Sequence, residues 1–347
     1  MLYILELFLS LITTIIVIHI LLRTTAITRF FGHSSRKNIE SRAVPRVGGI
    51  AIGLPIFLSF AFAGTVGSGF TGAMVGLIVV FLVGLYDDLK YLGWKSKLAA
   101  QVIAVGVALV LLSPRFSGIH IFGSQLLLPP GIMYSGLFLI ILTVMNSINL
   151  LDGLDGLAAG VTLIILIAYI AWGIAGDHWN MVALALPITG ALLGFLRYNI
   201  FPAQLMLGDS GSLVLGFAVA IIPLAQQPDT TNLLELSVPI MMLTMPLTDA
   251  IRVAMARMIS RDHPFLPDRR HLHYKLVEAG LRHDLAVITL YGLTLLYLGL
   301  SIISRYFPVY VIISAYIVLL SLTLFLPALL PRLRKIRVLR EIYKSLT

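Results

Sequence analysis

Stretches of about twenty mostly apolar residues recur along this chain, each long enough to cross a hydrocarbon core of about 30 Å and each bounded by a short polar segment. A helix satisfies its own backbone polar groups in lipid, so such runs predict transmembrane helices. Eleven are predicted, near 3–22, 47–66, 71–86, 98–113, 131–148, 157–175, 181–196, 210–225, 233–256, 285–304 and 308–330. Those beginning at 71 and 181 are short. The polar interruptions fall into two sets. Segments 67–70, 114–130, 176–180, 226–232 and 305–307 are short or poor in charge, and 120–128 suits a small strand or hairpin. Segments 23–46, 87–97, 149–156, 197–209 and 257–284 carry nearly all the unusual polar residues.

Composition agrees with this pattern. The chain has 347 residues, 59% hydrophobic and 12% charged, with mean hydropathy +0.97, outside the range of soluble domains. Cytoplasmic loops accumulate Lys and Arg. With the N-terminus outside, the inner segments, Arg252 at the inner end of the 233–256 run and the tail together hold 23 of the 25 basic residues, leaving Arg115 and Arg305 on the other side. The expected fold class is therefore an all-α polytopic membrane protein with the C-terminus in the cytoplasm. Residues 1–331 are expected to form one transmembrane catalytic domain, followed by a basic cytoplasmic tail over 332–347. The net charge of +9 is explained by this bias and by anionic headgroups, so no nucleic acid partner is expected. The first apolar run lacks a preceding basic residue and is followed by a basic stretch, the reverse of a cleavable signal, so it is expected to remain as the first helix. With no cysteine, thiol catalysis and cysteine-ligated zinc are excluded.

The chain has only 16 acidic residues, and three clusters of them sit where apolar segments end. Asp87-Asp88 closes the third run. Adjacent helical residues point about 100° apart, so one carboxylate is expected to face a site while the other supports it. A plain helix end with two solvated charges is the competing reading. Asn149, Asp152 and Asp155 follow the fifth run, and a helix there would put all three within about 120°. Turn chemistry explains the same residues as well. Asp209 opens the eighth run in Gly208-Asp209-Ser210-Gly211-Ser212, where an N-cap and a phosphate-binding helix start are both sensible. A magnesium ion held by a carboxylate or amide and sharing substrate phosphates satisfies both features.

Among the basic groups, Lys95, Lys97, Arg42 and Arg46 are candidate phosphate or headgroup partners, equally explained by positive-inside bias. His271 and His273, at i and i+2, are a weak zinc signal without further ligands. Their neighbours Arg269, Arg270 and Lys275 favour an anion. Together the clusters imply phosphoryl transfer between a nucleotide-linked donor and a lipid phosphate, at the cytoplasmic face. A transporter or flippase is the rival class, but it would place ionisable residues near the midplane in paired repeats, and no repeat is visible.

At these residues the chain resembles the polyprenyl-phosphate N-acetylhexosamine-1-phosphate transferase family. The matching stretches are Val44–Gly49, Gly84–Asp88, Asn149–Gly156, Leu207–Ser212, Pro246–Asp249 and Arg269–His273, in family order. The resemblance implies transfer of a sugar 1-phosphate from a UDP-sugar to undecaprenyl phosphate in the bacterial cytoplasmic membrane, with release of UMP. It implies that Asp209 and Asn149 hold Mg²⁺ or Mn²⁺, and that Asp87, with Asp88 beside it, acts as base or positions the lipid phosphate. Asp152, Asp155 and Asn199 would line the nucleotide pocket, and Arg269, His271 and His273 would meet the donor diphosphate or sugar. His-Leu-His-Tyr at 271–274 resembles the UDP-GlcNAc branch, with Tyr274 in place of its last His, and the phospho-N-acetylmuramoyl-pentapeptide branch is the alternative. A homodimer is also implied.

Overall fold

The computed structural model of the protein describes residues 2–24, 44–63, 68–114, 119–121, 124–126, 129–225, 233–260, 269–304 and 306–333. Arg42 and nearly all of the basic tail lie outside these residues. Thirteen α-helices are described. They are α1 Leu2–Arg23, α2 Gly48–Ala63, α3 Ser68–Lys90, α4 Trp94–Leu112, α5 Pro130–Leu151, α6 Leu157–Ala175 and α7 Trp179–Asn199. There follow α8 Gly208–Ile221, α9 Leu233–Met242, α10 Thr244–Ser260, α11 Leu272–Glu278, α12 His283–Ile303 and α13 Val309–Leu333. Between α4 and α5, β1 Ile119–Ile121 and β2 Ser124–Leu126 pair antiparallel, with His120 opposite Gln125.

Among the described residues nine helices are long and apolar enough to cross a membrane, against the eleven segments expected. The two differences have local causes. Helix α2 is only 16 residues long and contains Pro55. The expected span over 233–256 breaks at Leu243 into α9 and α10. Pro246 has no N–H to continue a ladder from Met242, whereas proline is tolerated in the first turn of a new helix.

Helix α8 is the axis of the bundle, and every residue from Ser210 to Ala225 is buried. Its sequence is apolar on all sides, as a helix enclosed by others requires. Helices α2, α3, α5 and α6 pack against it. Small residues set the spacing: a Cβ on Gly216 would lie 2.7 Å from the Met145 backbone of α5. The buried Tyr169 hydroxyl donates to Val219 O at 3.0 Å and Pro239 O at 3.2 Å, tying α6, α8 and α9 without leaving a polar group unpaired. This rigid centre presents the first turn of α8 to the ends of α3, α4 and α5.

Candidate active site

The first turn of α8 is fixed from three sides. Its free backbone amides, which no intrahelical carbonyl can serve, are taken by a carboxylate from another helix. Asp88 accepts Asp209 N–H at 2.8 Å and Ser210 N–H at 2.9 Å, and the Ser210 hydroxyl as well. Gly208 adopts φ +74°, a conformation that favours glycine, and a Cβ there would lie 2.8 Å from Asp88 Oδ2. Gly84 of α3 allows the same close approach, since its Cβ would be 2.4 Å from Ser210 Cα. On the other side, Met206 N–H donates to Pro45 O and Gly48 N–H to Met206 O, both at 2.9 Å. The Val44–Gly49 stretch is thus a backbone clip on the entry to α8.

Asp87 and Asp88 diverge, as neighbours on a helix must. Asp88 reaches α8, while the buried Asp87 turns to α4. There its Oδ2 meets Lys97 Nζ at 3.0 Å, and its other oxygen accepts Leu92 N–H, closing the α3–α4 turn. Lys97 Nζ also contacts Asp209 Oδ1. The same oxygen accepts Asn149 Nδ2 at 2.7 Å, and Asn149 Nδ2 lies 2.7 Å from Ser212 Oγ. Four helices therefore bring Asp87, Lys97, Asn149 and Asp209 into one contact network. One turn before Asn149, Asn146 and Gln101 pair through both amides and lock α5 to α4. Lys95 is not part of the network; it is exposed, with its ammonium 5.6 Å from the Trp94 ring centroid.

The 149–156 segment is helical only to Leu151, so Asn149, Asp152 and Asp155 do not share a helix face. They are arranged by a turn. Asp155 Oδ2 accepts Ala203 N–H at 2.9 Å. Asn199, 4% exposed, accepts Gly156 N–H at 3.1 Å and donates to Leu205 O at 2.9 Å. Asp155 and Asn199 thus stitch the turn to the 199–206 segment. Asp152 has a different environment. Burial, reinforced by the charge of Asp209 and opposed by Arg46, pushes its carboxyl up to about 7.

The late polar segment approaches this turn. His273 is fully buried, and a Cβ on Gly153 would fall 2.2 Å from its Nε2, so Gly153 is where the imidazole lies against the backbone. Burial holds His273 down to about 3, so it is a neutral ring near pH 7. His271 stacks on it at 5.7 Å and lies 2.9 Å from Asp249 through Nδ1. Arg269 is exposed. Asp249 and Arg252 are the polar residues of this region that sequence pattern alone assigns no role. Their i, i+3 spacing on α10 was the available signal, and their partners 18 to 23 residues on were not visible.

The arrangement suits reactions of phosphates: two acidic groups bridged by an ammonium, a helix start beside them and a turn of carboxylates next to imidazoles. Comparison with known proteins agrees. Residues 70–227 match the model of Glycosyl transferase family 4. A relative in Bacillus subtilis (strain 168), named "Probable undecaprenyl-phosphate N-acetylglucosaminyl 1-phosphate transferase", is 27% identical over 292 residues, covering 81% of this chain and 79% of its own. The decaprenyl-phosphate N-acetylglucosaminephosphotransferase of Mycolicibacterium smegmatis is 29% identical over 288 residues, 74% of this chain and 70% of that one. The phospho-N-acetylmuramoyl-pentapeptide-transferase of Shouchella clausii is 33% identical over 269 residues, 71% and 81% of the two chains. With Asp87-Asp88, Asn149–Gly156 and Gly208–Ser212 all inside the matched region, the chain belongs to glycosyl transferase family 4.

Proposed function

We propose that this protein transfers GlcNAc 1-phosphate from UDP-GlcNAc to undecaprenyl phosphate in the bacterial cytoplasmic membrane, making the lipid-linked diphosphate sugar that begins a cell-envelope glycan. The observation that carries the proposal is the joining of Asp87, Lys97, Asn149 and Asp209 from four helix ends. The Bacillus relative, by its name, supports the acceptor and the sugar, and the Mycolicibacterium relative, named for decaprenyl phosphate, supports the sugar and a polyprenyl phosphate acceptor. The site is proposed to face the cytoplasm, with the N-terminus outside, on the strength of the Lys and Arg distribution. A homodimer, implied by the resemblance, is checked by native mass spectrometry.

In the reaction, an oxygen of undecaprenyl phosphate attacks the β-phosphorus of the donor. The bond from that phosphorus to the bridging oxygen breaks, and UMP leaves with the electron pair. A phosphate monoester is already largely ionised near pH 7, so Asp87 is proposed to orient the acceptor rather than deprotonate it. Two anions must approach each other, and the ammonium of Lys97 lowers that cost.

A divalent cation fits the residues present. Asp209 and Asn149 are the proposed holders and offer hard oxygen donors, and the contact of Lys97 Nζ with Asp209 and the neighbouring Asp87 means that the space between these carboxylates accepts a positive charge. Among the described residues no three His, Asp or Glu converge on one point. Mg²⁺ is usually held by one or two protein ligands together with substrate phosphates, so Asp209 and Asn149 would be its protein share. When bound, Mg²⁺ would supply charge neutralisation to the phosphates.

The Shouchella relative favours a second reading, a muramoyl-pentapeptide donor. A UMP-release assay on purified protein with undecaprenyl phosphate, Mg²⁺ and a panel of UDP-sugars separates the two. Release with UDP-GlcNAc alone is expected. Release only with the muramoyl donor selects the second reading, and release with no donor sinks both, leaving the transporter class.

A further inference from the structure

The late polar segment is fastened to the bundle through one carboxylate. Asp249 and Arg252 lie three residues apart on α10, and Asp249 is 4% exposed. Its Oδ1 accepts Leu272 N–H at 2.7 Å and Arg252 Nη2 at 3.0 Å, while Oδ2 lies 2.9 Å from His271 Nδ1. Arg252 Nη2 also donates to the Arg270 carbonyl. Three consecutive residues, 270 to 272, are therefore held by one ion pair through a carbonyl, an imidazole and an amide. A buried carboxylate with this many donors is fully engaged, and it fixes both the plane and the tautomer of the ring that it touches.

His271 is 3% exposed, and its Nε2 has no protein partner. A buried polar atom left open in this way points to a ligand, because an unmade hydrogen bond in a buried position is costly. The Asp249 carboxylate can only accept, so Nδ1 carries the proton between them, and in that tautomer an uncharged ring leaves Nε2 bare, as an acceptor. An acceptor matches a hydroxyl or amide N–H, and not a phosphate oxygen.

We infer that Asp249, braced by Arg252, is the positioning residue of His271: it presents Nε2 as a hydrogen-bond acceptor to an O–H or N–H group of the donor sugar. The inference rests on the UDP-sugar reading above. It gives the histidine segment a specificity task that is distinct from the acidic network around Asp209.

The test is a double-mutant cycle on kcat/KM for UDP-GlcNAc with the parent, Asp249→Asn, His271→Ala and the double variant. Loss of such a supporting partner is expected to lower kcat/KM by about 10- to 100-fold in the parent background. In the His271→Ala background the same change is expected to have less than about a twofold effect, because the residue it acts through is gone. An equal loss in both backgrounds overturns the inference. Should Asp249→Asn not fold, ¹⁵N NMR of the histidine-labelled parent, with the His271 signals assigned by His271→Gln, reads the tautomer directly. A proton on Nδ1 with Nε2 bare is expected, and a proton on Nε2, in a neutral or a charged ring, overturns the inference. If the parent is inactive with every UDP-sugar, the donor reading fails, and the NMR result judges the positioning of His271 separately.

Discussion

Asp88 caps a helix that belongs to another part of the chain, and removing it has a calculable effect. In Asp88→Ala the N–H groups of Asp209 and Ser210, now bonded at 2.8 and 2.9 Å, lose their acceptor, and so does the Ser210 hydroxyl. Hydrogen bonds to charged groups contribute about 1.5–3 kcal/mol each, and a lost N-cap about 1 kcal/mol. Water entering beside Asp209 recovers part of this, so a net loss of about 3 kcal/mol is expected. At about 2 °C per kcal/mol for a chain of this size, the unfolding midpoint in detergent falls by about 6 °C. Asp209 is the next link, since the amide that Asp88 holds is its own. A shift of about 1 Å in a reacting group costs about 100-fold in turnover. Asp88→Asn keeps one acceptor and turns an amide NH₂ toward a backbone N–H, so it should fall between the parent and alanine in both measures. Thermal unfolding and UMP release on the same preparations check this. If Asp88→Asn unfolds with the parent yet has no turnover, the carboxylate acts on the reacting groups and the capping argument is wrong. If Asp88→Ala turns over normally, Asp209 does not depend on the cap.

Lys97→Met leaves Asp87 and Asp209 facing each other without the ammonium that both contact, and like charges a few ångströms apart at an effective dielectric near 20 repel by about 4 kcal/mol. Turnover should fall by more than about 100-fold, and a variant with half the parental UMP release would refute the bridge. Asp209→Ala should abolish activity at any Mg²⁺ concentration, so near-normal turnover at saturating Mg²⁺ would remove Asp209 from the proposed metal site. Asp152 gives a pH effect. Its carboxyl, held up to about 7 in the fold against 3.8 ordinarily, stays protonated where the unfolded chain has lost its proton. The stability this contributes is complete below pH 3.8 and is lost as pH rises through 7, with a slope of at most about 1.4 kcal/mol per pH unit. Asp152→Asn should flatten the fall in unfolding midpoint between pH 5 and 8, and an unchanged pH profile would contradict it. Gly84→Ala places a Cβ 2.4 Å from Ser210 Cα and should prevent normal accumulation. Gly106→Ala, with nothing within 4 Å, is the control and should accumulate as the parent does.

The membrane spans were legible because lipid leaves the backbone one solution, a helix with all its hydrogen bonds internal. The break at Leu243 was less so, since one proline is compatible with either a kink or a new helix start. The acidic groups at the ends of α3 and α5 and the start of α8 stood out because carboxylates are costly elsewhere in such a chain. Which of them touch was not legible. Asp88 finds its partners 121 and 122 residues away, and nothing local distinguishes it from Asp87. Lys95 and Lys97 looked equivalent in sequence, but two positions on a helix differ by about 200°, and only Lys97 turns inward. Asn199 and Asp155 bond the backbone of a turn whose shape appears only once the chain has folded.

The placement of the site at helix ends follows from the dipoles of those ends. Two carboxylates at the C-terminus of α3 oppose its dipole, and the open amides at the start of α8 leave a positive end unsatisfied. Either end alone is unfavourable at a membrane boundary. Docked together through Asp88, each offsets the other, and Lys97 from the start of α4 balances Asp87 and Asp209. Moved one turn into its span, the Asp pair would lose the α8 amides and face apolar side chains. The same juxtaposition that makes these charges tolerable also gathers them at the ends of the apolar helices, where the proposed reaction needs a site that a lipid phosphate and a water-soluble nucleotide both reach.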